Sequence, residues 1–377
     1  MWDHCRTVFK TVQGSRKALG YFYVVSVAVI WVAASYLVKE IVHSGISPFI
    51  LTYICNSLFV LYLPLVELQH LSPQKHCRQT DDCTPPEEDL GFLNDAAHGE
   101  LAAPAVKKEE PYTRWQTARA ALIICPFWFS AQLTFNASLK RSSVTSNTIL
   151  SSLSSLFTFF LSVRLLRERF TFVKLGGVAS YVVGTALVAL KDAEKQEGGS
   201  ADSLGGDALC LLSAAIYALY TVGIRKVLPD EERVNAAQFF GFIGLFNLII
   251  LAPVVMYLHF TGEVDITHLP AQPLAWVVVK GLFDNVLSDY LWVRAVLLVG
   301  PTITSVGMGI QVPLAIFVDI VLGKAPWILS LGPAALMLGG ATLILLGFGT
   351  VAYNTDQGEG NQSSEAHQGE AHAYTSW

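Results

Sequence analysis

Ten apolar stretches, each about 20 residues long, run from Ala18 to Gly349 and are separated by polar breaks. A hydrocarbon core about 30 Å thick needs about 20 apolar residues in a helix that rises 1.5 Å per residue. Backbone polar groups inside lipid must be satisfied by the spanning structure itself, which favours helices. The chain is therefore predicted to be an all-α polytopic membrane protein with ten transmembrane helices.

Composition supports this class and argues against several others. Charged residues make up 15% of the 377 residues and hydrophobic residues 52%, whereas a soluble chain is about a quarter charged. The sequence contains no basic patch suited to nucleic acid, and its six cysteines match neither a disulfide framework nor a zinc pattern. It also lacks Walker, HExxH and GxSxG motifs. We predict a non-enzyme with no catalytic residues, no cofactor, no metal and no nucleic-acid partner.

The predicted order along the chain has four parts. Residues 1–18 are an N-terminal segment, 19–190 and 205–349 are five-helix halves, and 350–377 are a disordered tail. A polar loop at 67–118 interrupts the first half. The predicted spans are 19–38, 47–66, 119–139, 143–163, 171–190, 205–224, 236–258, 274–297, 302–322 and 328–349.

Basic residues predict the orientation of the chain. With the N-terminus in the cytoplasm, seventeen Lys and Arg fall in cytoplasmic segments and six on the opposite side. Insertion follows the excess of Lys and Arg in cytoplasmic loops. Both termini and the 67–118 loop are therefore predicted to be cytoplasmic.

The two halves resemble each other at an offset of about 155 residues. Four small residues of the fifth span fall opposite four of the tenth: Gly177, Ala179, Gly184 and Ala186 against Gly332, Ala334, Gly339 and Ala341. Five helices per half place the copies in opposite orientation, as in transporters that bind substrate between inverted repeats. The alternative is that packed membrane helices commonly resemble one another and often carry glycine.

Charged side chains within spans are the first candidates for function, because each is costly in lipid without a partner. The eighth span holds Lys280, Asp284, Asp289 and Arg294, and the ninth holds Asp319. Lys280 and Asp284 are spaced i, i+4 and can pair, and Asp319 can act as an interfacial tether. At 100° per residue Asp289 points away from the other three, where it could take a proton or attract a cationic group of a solute.

A second set of candidates is polar but uncharged. Asn147, Ser151, Ser154 and Thr158 form one stripe on the fourth span, and Gln311 lies in the ninth. Such a stripe suits a hydroxyl-rich or heteroaromatic solute, but Ser and Thr also pack membrane helices together. We predict substrate binding by these five residues and Asp289, with Lys280, Asp284 and Asp319 as a possible charge pair or coupling group.

The chain from about Leu19 to Gly349 resembles the F branch of solute carrier family 35, within the EamA-type drug/metabolite transporter superfamily, and is most like its F5 group. The resemblance rests on the order and spacing of several motifs, since each alone is unspecific: Trp31 with Ser35, PF at 48–49, TY at 52–53, LYL at 61–63, ILSS at 149–152, FT at 157–158, RFT at 169–171, AIYALY at 215–220, FFGFIGLFN at 239–247 and VLSDYLW at 286–292. Asp289 departs from the pattern, which favours Glu.

The resemblance implies a ten-helix carrier in an endomembrane such as that of the Golgi or vacuole, with a nucleotide sugar, thiamine or a similar metabolite as solute. The predicted partners are this solute, the lipid bilayer and a second copy of the chain in a homodimer. A non-transporting membrane scaffold or receptor is the alternative, and it predicts a dry, fully packed centre. An intramembrane enzyme would need Asp284 or Asp289 to face another carboxylate.

Overall fold

The computed structural model describes residues 15–34, 47–71, 110–139, 141–142, 144–193, 203–229, 231–262, 271–323 and 326–374, and nearly all of them are helical. They form α1 (Ser15–Ala34), α2 (Pro48–Ser57), α3 (Tyr62–Leu71), α4 (Arg114–Leu139), α5 (Val144–Leu165), α6 (Phe172–Ala193), α7 (Ser203–Val227), α8 (Ala236–Phe260), α9 (Ala271–Lys280), α10 (Ser288–Val299), α11 (Pro301–Gly307), α12 (Gln311–Val321) and α13 (Leu331–Tyr374).

Three segments of the bundle are each made of two helices joined by a turn of different pitch. A 3₁₀ turn, Leu58–Leu61, joins α2 to α3, and a second one, Met308–Ile310, joins α11 to α12. A π turn, Gly281–Leu287, joins α9 to α10. The chain reverses between α10 and α11 at Gly300 alone, whose φ of 90° is open to glycine at little cost.

Within the described ranges, nine helices are long and apolar enough to cross a membrane, and they correspond to every predicted span but the eighth. The eighth segment, α9–α10, is continuous from Ala271 to Val299 and contains the four charged residues noted above. The polytopic helical fold is confirmed, whereas the number of ten crossings stays a prediction.

Helices α6 and α13 cross at glycines and run antiparallel. A Cβ on Gly184 would lie 2.6 Å from the Gly340 carbonyl oxygen, and one on Gly177 would lie 2.9 Å from that of Gly347. Because the contacting residue on α13 moves toward its N-terminus as the one on α6 moves toward its C-terminus, the two helices run in opposite directions. The last helices of the two halves therefore oppose each other, as inverted repeats require.

The glycines of α13 that contact α6 are not those that the repeat alignment paired with α6. No atom of the described residues lies within 4 Å of a Cβ added to Gly332 or Gly339, whereas Gly340 and Gly347 contact α6. A repeat offset read from sequence aligns equivalent residues. It does not identify the residues that touch across an antiparallel crossing.

Other contacts give the direction of the eighth segment. It runs antiparallel to α1, because Trp31 bonds to Ser288 while Gly20 lies against Val299. It runs parallel to α2–α3, because Cys55 lies at Val277 and Tyr62 at Val286. From Val277 to Val299 the segment thus lies beside spanning helices for about 33 Å.

One end of the bundle is tightly packed, and we call it the closed end. It comprises the start of α1, the end of α5, the end of α10 and all of α11. Every residue from 301 to 309 is buried, whereas residues 310–315 of the same segment are only half-buried. The bundle is therefore closed at α11 and less tightly packed from α12 onward.

The structure also adjusts the predicted boundaries. The first helix begins at Ser15 and is described only to Ala34, so the predicted residues 35–38 lie outside the described part, as does most of the 67–118 loop. The last helix does not end near Gly349. It continues to Tyr374, so the tail predicted to be disordered is helical. After Pro333 the tail contains no proline, and an existing helix extends more readily than a new one starts.

Candidate functional site

The π turn of the eighth segment brings its charged residues together. Lys280 Nζ lies 2.6 Å from Asp284 Oδ2, and the two side chains are 13% and 19% exposed. The ammonium also lies 3.5 Å from Asn285 Oδ1. The i, i+4 pairing considered from the sequence is therefore formed, and the half-buried lysine has a counter-ion.

Asp289 lies beyond the π turn and is 5% exposed. Its Oδ2 is buried and accepts no hydrogen bond from the residues that the structure describes. It interacts electrostatically with Asp284 and Lys280. A buried carboxylate oxygen without a donor is costly, so this group is a strong candidate for binding something that the bundle does not itself supply.

The predicted opposition of Asp289 to the other charges was wrong. That prediction assumed 100° per residue throughout, but the i→i+5 bonding of residues 281–287 turns the chain less per residue. Asp289 is therefore rotated back toward Lys280 and Asp284. Arg294, half-buried, lies about 8 Å further toward the closed end.

Aromatic side chains surround this group. Asp289 interacts electrostatically with Tyr62, Tyr217 and Tyr220. The Tyr62 and Tyr290 rings lie 5.8 Å apart, and Trp292 Nε1 donates to the Tyr217 hydroxyl at 3.1 Å. Trp31, Tyr62, Tyr217 and Tyr290 are half-buried, so their rings are not wholly taken up by packing.

Other aromatic residues belong to the core. Trp128, 1% exposed, lies with its ring 4.8 Å from Tyr220, 5.3 Å from Phe240 and 5.7 Å from Trp292. Aromatic pairs at these distances stabilise helix packing beyond the area they bury. This cluster holds α4, α7, α8 and α10 together around the site.

The stripe on α5 divides into packing residues and open residues. Asn147 and Thr158 are buried at its two ends, where Asn147 Oδ1 accepts from Ser138 and the Thr158 hydroxyl bonds to Ser305 at 3.3 Å. Between them Ser151 and Ser154 are half-buried. Packing accounts for Thr158, whereas Asn147 Nδ2 is buried and has no hydrogen-bond partner among the described residues. Substrate binding therefore stays a prediction for Asn147 and the two serines.

The ninth segment divides in the same way. Thr302 and Ser305 are buried in α11, and Thr302 Oγ1 bonds to Glu168 at 3.2 Å. Gln311, at the start of α12, is half-buried, and so is Asp319 two turns later. Asp319 lies outside the group around Asp289, toward the far end of α12.

Several of these residues share one depth. Asp289 is ten residues from the end of α10, Gln311 ten residues from the start of α11, and Ser154 eleven residues from the end of α5. At 1.5 Å per residue each lies about 15 Å from the closed end. That depth is about the middle of a 30 Å hydrocarbon core.

Three contributors were not predicted as site residues. Tyr62 donates to the Val286 carbonyl at 2.7 Å, and Trp31 Nε1 donates to Ser288 Oγ at 2.9 Å. Tyr62 and Ser288 lie within motifs that carried the family resemblance. A π turn, however, leaves no recognised pattern in the sequence, so their roles could not be found there.

Comparison with known proteins gives the family. A profile of the EamA-like transporter family matches residues 101–190. An uncharacterized transporter of Schizosaccharomyces pombe is 32% identical over 345 residues, covering 90% of this chain and 96% of that protein. An uncharacterized vacuolar membrane protein of Saccharomyces cerevisiae is 30% identical, with 90% and 91% covered. Solute carrier family 35 member F5 of Mus musculus is 28% identical, with 83% and 73% covered.

A solved crystal structure shares the fold. It superimposes with a TM-score of 0.57 at 17% identity, covering 88% of this chain and 98% of that protein. The long matches extend over both halves and include the segment with the buried charges. The chain is a multi-pass endomembrane protein that belongs to the EamA-like transporter family, and within it the chain is similar to the F5 group of solute carrier family 35.

Proposed function

We propose that this protein is a secondary transporter that moves a small polar organic solute by alternating access and binds a cationic group of that solute at Asp289. The observation that carries the proposal is a buried carboxylate oxygen to which no described residue donates a hydrogen bond, at about mid-membrane depth among aromatic rings. Polar and ionisable residues inside a membrane commonly mark a transport pathway.

The charges favour a cation over an anion. Lys280 is paired with Asp284, so this group of three carries one uncompensated negative charge when all are ionised. Tyrosine and tryptophan faces attract cations. A nucleotide sugar would instead need a cation free to face its phosphates. Among the predicted solute classes, a heteroaromatic cation such as thiamine therefore fits this site better than a nucleotide sugar.

The packing is that of a carrier closed at one end. The bonds between α5 and α11, together with the close approach of Gly307 to Val24, seal the closed end. Ser151, Ser154 and Gln311 beyond them are only half-buried. A scaffold or receptor with a dry, fully packed centre would not need half-buried polar groups at this depth, so this arrangement favours transport over that alternative.

The directions of the helices support ten crossings. Four segments separate α6 from α13, and the two helices run antiparallel. If α7, α8 and α11–α12 cross, antiparallel ends require α9–α10 to cross as well. With the predicted cytoplasmic N-terminus, the closed end then faces the cytoplasm and both termini lie there. A homodimer and the absence of a nucleic-acid partner remain predictions from the sequence.

Counterflow in liposomes tests this function. Purified protein is reconstituted into liposomes loaded with an unlabelled solute, and entry of the same labelled solute is followed. The panel contains thiamine, other ring-bearing cations and nucleotide sugars. We expect exchange of at least one ring-bearing cation. Exchange of nucleotide sugars alone would refute the charge argument, and exchange of no solute would favour the scaffold or receptor.

A further inference from the structure

The π turn of the eighth segment is held from outside by hydrogen bonds to its own carbonyl groups. Such turns are rare, are found mostly as single turns inside α-helices and often occur at functional sites. Here the turn covers Gly281–Leu287, directly between the Lys280 ammonium and Asp289. Its pitch therefore decides the angle between these two groups.

The first support comes from α2–α3. The Tyr62 hydroxyl donates to the Val286 carbonyl at 2.7 Å, inside the π turn. At the start of the turn Gly281 lies close against α2, where an added Cβ would be 3.4 Å from both the Cα and the Sγ of Cys55. One neighbouring segment thus contacts the turn near both of its ends.

The second support comes from Ser288 and α1. The Ser288 hydroxyl donates to the Asp284 carbonyl, another group of the π turn, and accepts from Trp31 Nε1 at 2.9 Å. Ser288 is 0% exposed, so water does not replace these bonds. Two carbonyl groups of the turn are therefore bonded by side chains.

We propose that Tyr62 and Ser288, the latter held by Trp31, are positioning residues that keep residues 281–287 in the π register. Return of this turn to α-helical register rotates Asp289 by one residue step, about 100°, relative to Lys280. Asp289 then leaves the pair and the aromatic rings around it. The consequence for solute binding rests on the proposed function, whereas the conformational role does not.

Alkylation of Cys55 tests the conformational role without transport. Cys55 is 3% exposed and lies against the π turn, so a maleimide reaches it only when this contact opens. Labelling of the Cys55 peptide is followed by mass spectrometry in the full chain in detergent. Loss of a hydrogen bond worth about 1 kcal/mol raises an open population about fivefold. We expect that increase for Tyr62→Phe and Ser288→Ala.

Two variants control for the loss of a hydroxyl as such. Tyr53→Phe removes a tyrosine bond from α2 to the Leu248 carbonyl, and Ser213→Ala removes a buried serine bond to the Ala131 carbonyl. Both bonds join helices away from the π turn. We expect wild-type labelling of Cys55 in both controls. Equal rates in all five proteins, or equal acceleration in all four variants, would overturn the positioning role.

A double-variant cycle tests the link to solute binding. If Tyr62 acts through Asp289, Tyr62→Phe raises KM in the wild-type background and has no further effect in Asp289→Asn. Additive losses would show that Tyr62 acts elsewhere and would overturn this part of the proposal. Accelerated Cys55 labelling in a chain that exchanges no solute would retain the positioning role while refuting the proposed function.

Discussion

The α6–α13 crossing gives a matched pair of substitutions one residue apart. Gly340→Ala places a methyl group about 2.6 Å from the Gly184 carbonyl oxygen, whereas Gly339→Ala places it in open space. Ordinary contact begins at 3.4 Å, so the first methyl lies 0.8 Å too close (3.4 minus 2.6) to a backbone atom that cannot rotate away. Overpacking of this kind costs about 1–3 kcal/mol.

The control variant, Gly339→Ala, is expected to have the opposite effect on stability. Alanine exceeds glycine in helix propensity by about 1 kcal/mol, so Gly339→Ala is neutral or slightly stabilising. Thermal unfolding of both variants in the same detergent, followed by loss of the monodisperse peak in size-exclusion chromatography, measures the difference. We expect Gly340→Ala to unfold at a lower temperature than the wild type. Destabilisation by Gly339→Ala with a harmless Gly340→Ala would refute the crossing register.

Three further predictions follow from the charges and the closed end. Lys280→Met leaves Asp284 buried without its counter-ion, so we expect a loss of about 3 kcal/mol in stability. The double variant Lys280→Met with Asp284→Leu should recover part of this loss. A double variant no more stable than Lys280→Met would argue against the pair. The hydroxyl oxygens of Thr158 and Ser305 lie 3.3 Å apart, so the double variant Thr158→Cys with Ser305→Cys should form a disulfide that stops exchange until it is reduced. Each single variant is the control. Full exchange in the oxidised protein would contradict closure at this contact. A C-terminal epitope should be accessible to protease on the cytoplasmic face of sealed endomembrane vesicles. The tail contains an N-glycosylation acceptor motif, Asn361-Gln362-Ser363, and glycosylation at Asn361 would reverse the proposed orientation.

The sequence predicted the class of fold because lipid imposes a length and a polarity on every spanning segment. Nine spans could be recognised from apolar length alone. The eighth was placed by the same pattern, but its charges prevent a test by composition. The glycine contact on α13 could not be predicted, since Gly339 and Gly340 are neighbours and only the crossing geometry selects between them.

The functional site could be predicted only in part, and the part that was predicted also follows from the physical demands of lipid. The cost of charge in lipid singled out Lys280, Asp284 and Asp289 without any structure. The grouping of Asp289 with the other two could not be seen, because it depends on a local change of helical pitch. Thr158 shared a stripe with Ser151 and Ser154, and only the burial of Thr158 in the structure separates this packing residue from the two half-buried serines.

The central claim is that solute exchange depends on the carboxylate of Asp289. The direct measurement is counterflow of a ring-bearing cation in liposomes containing equal amounts of wild-type protein, Asp289→Asn or Asp319→Asn. We predict that Asp289→Asn strongly slows exchange, because it removes the uncompensated negative charge, and that Asp319→Asn retains it. Exchange at the wild-type rate by Asp289→Asn would contradict the account.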